Sequence, residues 1–364
     1  MENDEKIYLR LQKHLDSLAV GYPATSSGAE IRILKHIFTP DEARLAIYLT
    51  YKLEPIETIY HRARGLVDSL KKLSMIFDRL EEKGGLESKI KGDIKYYCAA
   101  PLIVGMYEYQ LDRLTPEFIK DFDTYTSDRK FGVSFLSTEL PQMRTIPIGK
   151  NIAIFECICR KKQSLLDEPC KLTERKETCL GIGDFAKAVL RSGVGRTVDM
   201  YEALSILEKN VQEGMVLQPS NTEKAEFICS CCGCCCGMLR MQKFLPKPLD
   251  YWASNFYAAI DTDTCNGCGT CEKKCQVTAV KMLEKRQVPV IDLNRCIGCG
   301  LCVAACPTKS VVLHKKDKET RPPKTREDLY DIIMAKKKGR FGRLKITGKL
   351  IKDAVTTRQI HLLK

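Results

Sequence analysis

The sequence is short of histidine. Its 364 residues contain five, and none lies between His61 and His314. That gap argues against mixed cysteine–histidine zinc sites, and against a Cys–His nucleophile, through the middle of the chain. Long apolar runs are missing as well: none approaches ~18 residues, which excludes a spanning helix. No low-complexity tract interrupts a composition that is 44% hydrophobic and 29% charged. Globular domains are therefore expected, two or three at this length. There is no Walker-type phosphate loop. The opening MENDEKIYLR is acidic and polar, with no apolar h-region behind it. A signal peptide is not expected, and the expected compartment is the cytoplasm.

Cysteine, at nineteen residues, is what the chain has in excess. In a secreted chain that count implies a disulfide scaffold, whereas in a reducing cytoplasm it implies metal. The formal charge of +13 is uneven: +10 of it falls from Lys315 onward and only +3 on the 314 residues before. Basic character belongs to the tail.

Two cysteine runs align at a 31-residue offset: CNGCGTCEKKCQ, with Cys265, Cys268, Cys271 and Cys275, and CIGCGLCVAACP, with Cys296, Cys299, Cys302 and Cys306. Both read C-x2-C-x2-C-x3-C, the spacing of bacterial two-cluster ferredoxins. Three thiolates two residues apart wrap a tight loop around three irons of a cube. Gly267, Gly269, Gly298 and Gly300 let the backbone turn close to it. The fourth cysteine sits on the helix that follows and reaches the other cube. The expected ligand sets are Cys265, Cys268, Cys271 and Cys306 for one 4Fe–4S cluster, and Cys296, Cys299, Cys302 and Cys275 for the other. Zinc knuckles would use separated cysteine pairs rather than two such runs in register. Pieces VKML, VPVI and SVVL read as short flanking strands. Gln276 departs from the pattern, which usually has proline there. The resemblance to ferredoxins covers about residues 258–314.

A second set of ten cysteines lies upstream. Cys157 and Cys159 in FECICR, Cys170 and Cys179 come first; Cys229, Cys231, Cys232, Cys234, Cys235 and Cys236 crowd into ICSCCGCCCGM. Between them, DFAKAVLRSGVGR and TVDMYEALSILEKNVQEG read as amphipathic helices. Thr197 is the expected N-cap, Met200, Ala203, Leu204 and Leu207 the apolar stripe, and Gly214 the stop. A helical hairpin would bring the early cysteines back to the late ones. Gly181, Gly183 and Ala186 fit G-x-G-x-x-A only weakly, with no apolar strand expected before them. Six thiols in eight residues cannot all serve one metal, because adjacent side chains diverge. In an extended run Cys229 and Cys231 share a side; in a helical one Cys232 and Cys236, or Cys231 and Cys235, share a face. A subset should join the four early cysteines around a further Fe–S cluster, a zinc ion, or as a catalytic dithiol.

The chain as a whole resembles proteins of anaerobic bacteria and archaea that fuse a winged-helix-like region, a cysteine-rich domain and a two-cluster ferredoxin module. Their middle domain carries C-x-C-R, two further cysteines with the second in E-T-C-L, and a later C-x-C-C-x-x-C-C. Here these are Cys157, Cys159 and Arg160, then Cys170, then Glu177 to Leu180, then Cys229, Cys231, Cys232, Cys235 and Cys236. Cys234 is extra to that pattern. The resemblance implies an Fe–S redox protein without naming a reaction.

Residues 28–110 read as helices with a small sheet. AEIRILKHIF and TPDEARLAIYLT are two helices, the second capped by Thr39 with Pro40 in its first turn. A third has Leu66, Leu70, Leu73, Phe77 and Leu80 at helical spacing, and a hairpin turning near Gly92–Asp93 follows. On this winged-helix outline, Ser69, Lys71, Lys72, Lys89, Lys91 and Lys95 are candidate DNA contacts. The helix face also carries Asp68, Asp78, Glu81 and Glu82, so a docking module is the favoured reading and nucleic acid is not. Cys98 reads as a small buried residue. After Pro322–Pro323, a short helix capped by Thr325 is expected. The basic tail there is either solvated or steers an acidic redox partner.

The expected fold is therefore α+β and multidomain. Residues 1–125 are winged-helix-like, 126–255 a mostly helical cysteine-rich metal-binding domain, 256–315 a two-cluster ferredoxin-like domain, and 316–364 a basic tail. The expected function is single-electron transfer through two 4Fe–4S clusters, with a further metal site in the middle domain and a redox partner protein. The alternatives are a redox-sensing transcription regulator and a reductase catalysing at the middle site, an oxidoreductase if an enzyme at all.

Overall fold

A computed structural model describes residues 4–136, 151–283, 288–337 and 339–363. Two compact units divide the chain: Met1–Thr138 with Tyr330–Ile346, and Glu139–Leu329 with Thr347–Lys364. All cysteines except Cys98 fall in the second, and no disulfide forms among the described residues. No helix among them is long and apolar enough to cross a membrane.

The first unit runs α1 (Asp4–Ser17), α2 (Ala29–Ile37), α3 (Pro40–Ala46), β1 (Glu54–Pro55), α4 (Ile56–Arg62), α5 (Leu70–Glu82), β2 (Leu86–Lys91), β3 (Ile94–Ala99), α6 (Pro116–Thr126) and α7 (Arg129–Leu136). Thr39 starts α3 with a capping box, its side chain accepting from Glu42 N while the Glu42 carboxylate accepts from Thr39 N. Ser69 caps α5 by accepting from Lys72 N, and Leu73, Phe77 and Leu80 face the core. Leu66 leaves the expected stripe: it precedes the cap and is exposed, because the helix begins only at Leu70. The hairpin turns at Gly92–Asp93, and the sheet order is β1-β3-β2. Cys98 is buried on β3.

The second unit opens with β4 (Ile152–Glu156), α8 (Ile158–Leu165), β5 (Glu177–Ile182), α9 (Asp184–Arg191), β6 (Gly195–Val198), α10 (Met200–Glu213), β7 (Val216–Pro219), β8 (Phe227–Cys231) and α11 (Gly237–Phe244). The strands form one antiparallel sheet of order β6-β4-β5-β8-β7. The expected helices are present, but a sheet, not a helical hairpin, joins the early and late cysteines. Thr197 lies in β6, and the cap of α10 is Asp199, which accepts from Glu202 N at 2.8 Å. The later start rotates the stripe: Ala203 and Leu207 are buried, while Met200 and Leu204 are exposed. Asn210 completes the buried face of α10. An apolar strand, β5, does run into the Gly181–Gly183 turn. Its antiparallel partners still exclude the parallel unit a dinucleotide site needs.

The chain continues through β9 (Phe256–Ile260), α12 (Thr270–Lys274), β10 (Val280–Leu283), β11 (Val288–Ile291), α13 (Leu301–Ala304) and β12 (Val311–Lys315). β10 pairs with β11 and β12 with β9, so each cysteine run ends in a short helix followed by a strand. Helices α14 (Arg326–Lys336) and α15 (Arg340–Thr356) close the chain. Thr325 caps α14 by accepting from Asp328 N. The tail is more than a solvated charge run: Asp331 binds Tyr51 and Lys52, and Lys349 pairs with Asp250 and Asp353.

Candidate metal centres

In the C-terminal module the two cysteine loops are built alike. Gly269 and Gly300 cap α12 and α13, and Cys271 and Cys302 lie on those helices. Gly298 has φ 60°, and a Cβ there would stand 2.3 Å from Phe256 O, so only glycine lets the loop pass that carbonyl. Backbone amides point at sulfur: Ala279 N donates to Cys275 Sγ at 3.2 Å and Ala258 N to Cys296 Sγ at 3.4 Å. Such bonds would raise the potential of a cluster bound to the sulfur. Burial, then the neighbouring Cys299, Cys296 and Cys275, push the Cys302 thiol up to about 12. Cys275 thus lies within electrostatic reach of the second loop, and Cys306 within reach of Cys268 in the first. The eight cysteines of the two loops fit two iron–sulfur cubes, each of which would supply a one-electron site when bound.

Upstream, the ten cysteines separate into two groups. Cys170 comes from the loop between α8 and β5, and Cys232, Cys234 and Cys235 from the turn between β8 and α11. These four sulfurs all lie within 4.8 Å of one another. The other six are electrostatic neighbours around a closed ring. Cys157 neighbours Cys159 and Cys179, Cys179 neighbours Cys229, Cys229 neighbours Cys231, Cys231 neighbours Cys236, and Cys236 returns to Cys159. Cys229 and Cys231 share a side of β8, as alternation in a strand requires. The helical pairings do not form: Cys232 and Cys236 part into different groups, as do Cys231 and Cys235, because the segment is strand and turn. Cys234, extra to the sequence pattern, takes a full place among the four.

Electrostatics follow the same division. Cys157 is held well below the usual thiol range by hydrogen bonds from Cys159 and Cys179, with Arg160 adding to it. Cys159, Cys179, Cys229 and Cys231 are each raised by the bond to a ring neighbour. Among the four, hydrogen bonds from Cys232 and Cys235 lower Cys170, and the same bond pushes Cys232 up to about 12. Arg160 is 6% exposed and donates to Ser230 O at 3.1 Å, while its Nε and Nη2 find no regular partner among the described residues. Burial disfavours its charge, but the sulfurs of Cys157 and Cys179 outweigh that and hold it protonated.

Sequence reading undervalued three residues that tie these parts together. Gln276, where proline is usual, accepts from Gly233 N at 2.8 Å through its side chain. A Cβ on Gly233 would stand 2.5 Å from Gln276 O, so that turn requires glycine. Arg295, next to Cys296, donates to the carbonyls of Leu245, Gln242 and Lys243, closing the end of α11 with a cation. Arg160 was visible only as part of C-x-C-R. One apolar core holds Cys231 and Cys236 together with Cys271, Cys296 and Cys302.

Two family models, each describing a 4Fe-4S dicluster domain, match residues 258–313 and 288–341. The C-terminal module is therefore a ferredoxin-like iron–sulfur module, and electron transfer is the activity such modules indicate. No curated protein matches the chain.

Proposed function

We propose that the protein is an electron carrier. Cys265, Cys268, Cys271 and Cys306 hold one 4Fe–4S cluster; Cys296, Cys299, Cys302 and Cys275 hold the other. In this reading single electrons pass between a redox partner protein and a further metal site formed by the middle cysteines, in a reducing, cytoplasmic setting. The observation that carries it is the core shared by Cys231 and Cys236 with cysteines of both ferredoxin loops. Burial in one core shortens the electron path and excludes water from it. The chain's own contribution is position, the amides of Ala279 and Ala258 at sulfur, and Arg295 and Gln276 fastening the two regions. Reductive titration of anaerobically purified protein, followed by electron paramagnetic resonance, should show two reducible clusters. A fully metallated protein with none would overturn the reading.

The N-terminal unit is proposed as a winged-helix-like docking module rather than a DNA reader. Its order α2-α3-β1-α4-α5-β2-β3, with β1 joining the hairpin, supports the outline. Two of its basic candidates are neutralised: Lys72 pairs with Asp68 and Lys95 with Asp78 and Glu81. Exposed phosphate-binding surfaces need unpaired cations. Duplex binding in both redox states should be weak, and tight, sequence-dependent binding that changes with cluster state would instead favour the regulator.

A further inference from the structure

The middle region holds ten thiols where a single site would use about four. We infer that they form two separate centres of different nuclearity: a mononuclear tetrathiolate ion at Cys170, Cys232, Cys234 and Cys235, and a polynuclear metal–sulfur cluster inside the ring of Cys157, Cys159, Cys179, Cys229, Cys231 and Cys236. This rests on the proposed existence of a further metal site and specifies what that site is.

Distances carry the first half. A tetrahedral ion with metal–sulfur bonds of about 2.3 Å sets its sulfurs about 3.8 Å apart. Cys170 Sγ lies 3.6 Å from Cys232 Sγ and 3.9 Å from Cys234 Sγ, and Cys234 Sγ lies 3.7 Å from Cys235 Sγ. Three of the six separations match that spacing and the others stay within 4.8 Å, so the four suit one ion rather than a wider sulfide-bridged cluster. Four thiolates without histidine suit zinc or a single iron.

The ring is different in kind. Among the described residues only the tetrad has its sulfurs all within 4.8 Å of one another, so the ring is too wide for one tetrahedral ion. Six sulfurs around a wider space fit several metals bridged by sulfide. Arg160 supplies an independent observation. A buried guanidinium whose Nε and Nη2 lack a partner among the described residues, set against Cys157 and Cys179, suits an anion held on those sulfurs. A sulfide-bridged cluster on thiolates is such an anion. Two helices also start at this ring, since Cys157 and Cys236 are the N-caps of α8 and α11. Their positive ends favour negative charge there.

The test compares full-length, anaerobically purified protein with Cys234→Ser and Cys229→Ser, measuring iron, zinc and acid-labile sulfide per chain. Cys234→Ser should lose about one metal ion with labile sulfide unchanged; zinc or sulfide-free iron in the wild type names the ion. Cys229→Ser should lose several irons together with sulfide and keep the tetrad ion. Should Cys229→Ser fail to fold, cobalt(II) loading of the wild type decides. About one equivalent should bind with tetrahedral tetrathiolate absorption and be displaced by zinc. Loss of the same metal and sulfide in both variants, or no tetrathiolate cobalt site, overturns the inference while leaving a further metal site standing. Wild-type protein with only the roughly eight irons of two four-iron clusters and no other metal overturns both.

Discussion

Gln276 shows how one side chain can convert a generic loop into a junction. Proline at this position would close the turn after Cys275 but offer no side-chain acceptor. Glutamine accepts from the buried Gly233 amide, in the same turn as Cys232 and Cys234. Gln276→Ala leaves that amide unpaired, a cost of about 1–3 kcal/mol. It should lower the thermal midpoint of the holo protein and speed removal of the tetrad ion by chelator. Cluster signals assigned to Cys275 should persist, since no ligand is touched. Unchanged chelation kinetics would show that the bond does not hold the turn.

At the scale of elements, α10 is the brace of the cysteine sheet. Asn210, fully buried, donates to Thr178 O at 3.0 Å and to Ser230 Oγ at 2.7 Å, bridging β5 and β8 beside Cys179, Cys229 and Cys231. Arg175 fixes Asn210 from the other side and pairs with Glu213 at 2.9 Å. Asn210→Ala strands both acceptors, about 1–3 kcal/mol each. It should reduce metal retained in the middle region while the ferredoxin-like module keeps its iron. Equal loss from both would place the brace elsewhere. In the first unit, Glu108 accepts from Gly105 N at 2.8 Å, and burial pushes its carboxyl up to about 7 despite that bond. A folded value raised above an unfolded one near 4.5 means the folded unit holds the proton more tightly. Its stabilising contribution is complete below about pH 4.5 and lost as pH rises to about 7. The first unit's melting temperature should fall across that window, and Glu108→Gln should flatten the slope. A slope unaffected by the substitution would assign it to another group.

At the scale of the molecule, coupling of metal to fold is expected in the second unit. All the candidate ligands belong to Glu139–Leu329 with Thr347–Lys364, and several are core residues in their own right. Removing metal would leave that core lined with unligated thiols. Chelation or oxidative bleaching should therefore abolish the second unit's cooperative transition and spare the first unit's, read by calorimetry. A second unit that melts unchanged without metal would show that apolar packing alone suffices. The basic tail is partly spent on internal pairs, Lys349 with Asp250 and Asp353. Partner steering by the remaining charge should weaken with salt.

Sequence by itself determined the ferredoxin-like module, because its ligands follow a local rule. Cysteines two and three residues apart, with glycine between, can only wrap a loop, and no distant contact is needed to read it. The caps at Thr39 and Thr325 were legible for the same reason, each acting within one turn. Tertiary structure alone decided the middle region. Cys179 and Cys229 come from different strands and Cys157 from the end of a third, and which sulfurs meet depends on antiparallel register, which side-chain pattern does not encode over such distances. Eight crowded residues, Cys229 to Cys236, were sorted by a change from strand to turn after Cys231. A strand sends alternate side chains to one face, and a turn swings the next three away from it.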